Sequence, residues 1–163
     1  MNINVRPAVS EDIDNIMPIY DSAREYMAAT GNPNQWVDGY PSREVLLDDI
    51  SKEQCYVIDS DGDIMGVFVF IIGADPTYAR IEGGSWLNDK PYGTIHRIAS
   101  SGKVRGVFDM ALEYCFGKID NIRIDTHEDN KVMQGKIMGS GFTHCGTIYL
   151  LNGSPRLAYQ KTI

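Results

Sequence analysis

The chain has 163 residues, 43% of them hydrophobic, and carries 15 basic against 22 acidic side chains for a formal net charge of −7. That length supports one sizeable core and is short for two, so a single domain over residues 1–163 is expected. The acidic balance argues against nucleic acid or an anionic membrane as the main partner, and the lack of any 18-residue apolar stretch argues against a membrane span.

Ile3 to Ala8 alternates as a first strand, and Ser10, Glu11 and Asp12 then mark a helix start with acids in its first turn. Ile13, Ile16, Met17, Tyr20, Ala23 and Met27 recur at threes and fours, which predicts an amphipathic helix to about Ala29 with Pro18 inside it. Thr30 to Pro41 reads as a loop, and Ser42 to Ile50 as a short helix. Cys55–Ile58 and Ile64–Ile72 form a hairpin around Asp59-Ser-Asp-Gly-Asp63, where Asp-Gly favours a tight turn. A calcium loop is excluded there: the Gly precedes the third Asp, no glutamate closes the loop, and strands flank it.

Residues 73–92 read as irregular, with a short strand near Arg80–Glu82. Then come a strand over 93–99, a helix over 107–116, a strand over 121–126, a helix over 131–138 and two closing strands, the last at Arg156–Thr162. The order predicts an α/β fold built on a mixed sheet. Cys55, Cys115 and Cys145 are widely spaced and odd in number, which suits free thiols in a reducing cytoplasm, and the N-terminus lacks the layout of a signal peptide.

Chemistry concentrates in the run from Ile95 to Tyr114: a strand, a basic glycine loop, then an amphipathic helix. A helix start offers backbone N–H groups without internal partners and a partial positive charge, and so binds anions. Neither the Walker loop nor the dinucleotide fingerprint occurs in these letters. Lys103-Val-Arg-Gly106-Val-Phe108 instead resembles motif A of the GNAT superfamily of acetyl-CoA-dependent N-acyltransferases: Gln or Arg, two residues, Gly, one residue, then Gly or Ala. Phe108 stands where a small residue is usual. Asn121–Asn130 with the following helix resembles motif B of the same superfamily, since Asn130 lies eleven residues before Gly141-Phe142, and Ile137 stands where many members carry a general-acid Tyr.

The resemblance implies a fold whose two central parallel strands splay apart, a cofactor and acetyl donor in acetyl-CoA, and direct transfer to a primary amine of a small molecule or peptide in a ternary complex. The backbone of Ile98, Ala99 and Ser100 would bond the pantetheine arm. The amides of Val104, Arg105, Gly106, Val107 and Phe108 would take the pyrophosphate beside Lys103, and Asn130 would contact the cofactor. Base candidates are His96, whose type titrates near ~6.5, Glu82 through a water, and His127. The acid candidates are Tyr149 and then Tyr159. Gln35, Trp36 and Tyr40 border the acceptor, and the resemblance admits a homodimer.

Each of these residues also has a structural alternative, in the core or on the surface. Asp125 and His127 are too few for a metal site, and Cys145 has no base spaced to activate it. A CoA-binding sensor without activity is the rival function, on the letters at 108 and 137, and an α/β binding module unrelated to CoA is a third.

Overall fold

A computed structural model describes residues 2–163. In chain order it contains β1 (Ile3–Pro7), α1 (Ile13–Ala29), α2 (Arg43–Ser51), β2 (Cys55–Ser60), β3 (Asp63–Ile72), β4 (Gly93–Ser100), α3 (Val107–Phe116), β5 (Asn121–Thr126), α4 (Lys131–Gly139), β6 (Thr143–Tyr149) and β7 (Pro155–Thr162). The strands form one seven-stranded sheet in the order β1-β2-β3-β4-β5-β7-β6. Its neighbours are antiparallel except β4 and β5, so the fold is the mixed α/β arrangement expected from the order of elements.

Strand alternation distributes the core. Adjacent residues go to opposite faces: Ile58 and Phe68 pack under α3 and α4, while Val57 and Val67 pack under α1 and α2. Phe108, Ala111, Leu112 and Cys115 of α3 close the first face over Phe70, Ile95, Ile122 and Ile124. On the second face Tyr78 and Tyr92, from the long β3–β4 connection, cover Ile148 and Ala158.

Local chemistry fixes the turns. Asp61 and Gly62 both have positive φ, 51° and 94°, as the tight hairpin between β2 and β3 requires. Asp59 accepts from the Gly62 amide at 2.7 Å and from Arg6 Nε at 2.8 Å, so this acid belongs to a turn and an ion pair. Ser10 does not cap the first helix as its type predicts; its hydroxyl reaches only Glu11. Asp12 does the fixing instead, accepting from the Val9 amide at 2.8 Å and from both ends of the Arg6 guanidinium.

The strand expected near residues 80–82 is reduced to one bridge, where Glu82 and Thr147 exchange backbone hydrogen bonds of 2.9 and 2.8 Å at the β6 edge. Only glycine permits this approach, because a Cβ on Gly84 would lie 2.0 Å from the Cys145 carbonyl oxygen. Arg123 anchors the same connection from β5: its guanidinium lies 4.2 Å from the Trp86 ring centre and 4.1 Å from that of Tyr92, and Nη2 donates to the Asn88 carbonyl at 2.7 Å.

Candidate active site

β4 and β5 pair over only two positions, Gly93 with Ile122 and Thr94 with Arg123, and then part. The divergence begins at a bulge. Against β3, Ala99 is opposite Val67 but His96 is opposite Val69, so two residues of β4 stand against one of β3. Arg97 sits in the bulge with φ +46°, unusual for a residue with a side chain. Its side chain holds it there: Nε and Nη2 meet the two oxygens of Asp49 at 2.8 and 2.7 Å, Nη1 donates to Tyr40 Oη at 3.0 Å, and Tyr20 Oη donates to its carbonyl at 3.2 Å. Beyond Thr94 the facing backbone edges of the two strands have no rungs between them.

The split opens into a cavity of about 820 Å³, a size typical of small-ligand sites, ~300–1,000 Å³. His96 and Ile98 of β4 form one wall, Asp125 and Thr126 of β5 the other, and Asp75 of the β3–β4 connection and Arg156 of β7 also line it. His96 Nε2 lies 3.3 Å from Asp75 Oδ2, while Thr77 donates to Asp75 Oδ1 through its amide at 2.8 Å and its hydroxyl at 2.7 Å. Burial alone would raise the Asp75 carboxyl; the hydrogen bonds from His96 and Thr77 overcome it and hold the group down at about 2. Asp125 accepts from Tyr78 Oη at 2.5 Å, and burial pushes its carboxyl up.

The loop between α1 and α2 roofs this cavity. Gln35 Oε1 accepts from Asn32 Nδ2 and Asn130 Nδ2, both at 2.9 Å, and lies 3.5 Å from Thr126 Oγ1. One amide oxygen thus ties the loop to the end of β5 and the start of α4. Trp36 is buried in the α1–α2 core with its ring edge-on to Tyr20 and Tyr40, while the Tyr40 hydroxyl meets Arg97.

At the other end of the split, Gly106 caps the start of α3 with φ +83°. The amides of residues 104–108 have no acceptor among the described residues, and the Lys103 and Arg105 side chains are exposed beside them. Val107 and Phe108 turn into the core, so their side chains do not cover the amides of this turn. Ser100 accepts from the Gly102 amide, and Ala99 packs with the α1 core, leaving Ile98 as the cavity-lining member of its trio.

Several candidate residues lie elsewhere. Glu82 is exposed, pairs with Arg80 and pushes the Tyr149 phenol up by hydrogen bonding to it; both sit outside the cavity at the β6 edge. Tyr159 is buried against α3 and α4. His127 Nδ1 accepts from the Asp129 amide at 3.0 Å and closes the β5–α4 turn. Asn130, by contrast, does line the cavity, but it caps α4 through the Met133 amide and its remaining amide group is taken by Gln35. Ile137 is fully buried. Sequence patterning does not mark Asp75 or Arg156 as cavity-lining. For Asp125 a signal existed: with Arg123 it puts charge on alternate positions of a strand in the middle of the sheet, where burial is the rule.

No family model matches the chain, and no curated protein does. Solved structures do. An acetyltransferase of the GNAT family from Streptococcus agalactiae 2603 is 36% identical with a TM-score of 0.90, over 99% of this chain and 95% of that one. A GNAT family acetyltransferase from Listeria monocytogenes 4b F2365 is 19% identical with a TM-score of 0.72, over 99% and 95%. The NatC complex bound to Gag peptide and CoA is 17% identical with a TM-score of 0.59, over 100% and 99%, and like the Listeria protein it bears on fold alone. With the parted parallel strands, the open amides before α3 and that level of identity over nearly its whole length, the chain belongs to the GNAT family of acetyltransferases.

Proposed function

We propose that residues 1–163 act as one catalytic unit that moves an acetyl group from acetyl-CoA to a primary amine by direct transfer in a ternary complex. The observation that carries this is the split itself: after two rungs, β4 and β5 turn unpaired backbone toward each other, and an amide-bearing arm would pair there as an added strand. The pyrophosphate would lie on the amides of residues 104–108, with Lys103 and Arg105 adding charge. Both substrates would meet in the cavity, so no acyl-enzyme is needed.

In the transfer the amine nitrogen bonds to the thioester carbonyl carbon and the carbon–sulfur bond breaks. His96 takes the proton that the amine must lose. With the Nε2 proton turned to Asp75 Oδ2, 3.3 Å away, the neutral ring would keep Nδ1 as its basic atom. Tyr40 replaces the acid missing at Ile137: Arg97 donates to its oxygen, which leaves its own hydroxyl proton for the departing thiolate. That substitution weighs against the sensor reading.

Thiol release from acetyl-CoA, followed against a panel of amines and short peptides, tests the proposal, with binding of acetyl-CoA measured by calorimetry. Turnover with at least one primary amine is expected. Binding without turnover across the panel favours the sensor, and no binding at millimolar acetyl-CoA removes both.

A further inference from the structure

Arg156 has no part in the transfer just described, yet it is placed where a ligand would meet it. It enters the cavity from the start of β7 and is only 6% exposed. Nη1 donates to Ser154 Oγ at 2.6 Å and to the Pro155 carbonyl at 2.9 Å, which occupies both of its hydrogens. Nε and Nη2 have no acceptor among the described residues, and neither is among the sealed, partnerless atoms of the interior, so this edge of the fork opens to the cavity. No carboxylate lies within ion-pair distance of Arg156 among the described residues; burial works against its charge, and the more distant Asp125 offsets part of that cost. Arg97, the other arginine on the cavity wall, is already closed by Asp49 and Tyr40.

A buried guanidinium with no carboxylate in direct contact is costly, and its Nε–Nη2 edge matches the two oxygens of a carboxylate. Asp75 and Asp125 stand on the same cavity and suit an ammonium. The site therefore offers both signs of charge to one small molecule. A carboxylate fits better than a phosphate, since a dianion would add a second negative charge to a cavity already holding two acids. Met27, Ile71 and Leu150 supply apolar lining between these groups.

We propose that the acceptor is a free amino acid with an apolar side chain, its carboxylate held by the Nε–Nη2 edge of Arg156 while its amine is acetylated; the inference rests on the transfer reading above. A site built to hydrogen-bond a group rejects analogues that lack it.

The test compares L-leucine, L-leucinamide, 3-methylbutylamine and the aminophosphonate analogue of leucine as acceptors, each rate referred to the unprotonated amine. Leucine is expected to exceed the amide and the bare amine in kcat/KM by about tenfold or more, and to exceed the phosphonate. Arg156→Gln should bring the acid-to-amide ratio close to one while leucinamide is still acetylated. If that variant does not fold, Arg156→Lys, which keeps the charge without the fork, should lower the ratio. A wild-type ratio near one, a ratio unchanged in the variant, or preference for the phosphonate overturns the inference. Acetylation of polyamines or peptides with none of leucine overturns it while acetyl transfer stands; failure to bind acetyl-CoA instead removes the transfer reading itself.

Discussion

Asp75 matters because it gives His96 a fixed partner: two donors from Thr77 hold one carboxylate oxygen and leave the other for the imidazole. Its carboxyl, at about 2 when folded, lies below the ~3.9 of an unfolded aspartate. The sign follows from that order: the stabilisation is present above pH ~4 and is lost as pH falls toward 2, on the order of 2 kcal/mol. Asp75→Asn should flatten this acid limb in urea melts and lower kcat by roughly tenfold, as a base loses its orienting group; His96→Ala should lower it by ~10²-fold or more. Parallel loss of stability in wild type and variant below pH ~4 would show that Asp75 does not carry the effect. His96 could be picked out from the letters because it lies on a strand beside the anion loop. Asp75 could not, since residues 73–92 have no periodicity from which to infer a facing. Glu82, in the same segment, and Tyr149, at the end of β6, lie close to each other at the β6 edge and do not line the cavity.

Among the elements, α3 was the most legible, and residues 107–116 are helical as its apolar spacing predicts. What the letters left open was how Phe108 fits a position where family members carry a small residue. It points its ring into the core under α4 and leaves the turn's amides uncovered. Gly106 then becomes a clean probe. A Cβ there meets nothing within 4 Å, aspartate tolerates left-handed backbone better than most residues, and aspartate is a favoured helix cap. Gly106→Asp should therefore cost no more than about 1–2 kcal/mol of stability while setting a carboxylate against the bound pyrophosphate. Its Kd for CoA, read by calorimetry, is expected to rise about tenfold or more, close to one like charge at short range. Unchanged affinity in a folded variant would move the phosphate site away from this turn. The roofing loop was legible only in composition. Nothing local announced that Gln35 would reach across to Asn130, because the contact joins residues 95 apart in sequence.

At the scale of the whole molecule the single sheet carries a narrow seam between β4 and β5. Strands β1 to β4 are zipped together by antiparallel ladders, as are β5 to β7, but only two rungs near the closed end of the split hold one group to the other. Cooperative units of a protein tend to separate where such connections are sparse. Native-state hydrogen exchange should therefore find the β5–β7 unit opening at a lower free energy than the β2–β4 unit, and acetyl-CoA laid along the seam should draw the two values together. Exchange with a single common opening energy in the free protein would show that the helices over the seam already couple the halves. A parting that admits a substrate is also the line along which the fold comes undone, so the acetyl donor would act as a structural rung as well as a reagent, and the idle protein would be the more fragile one.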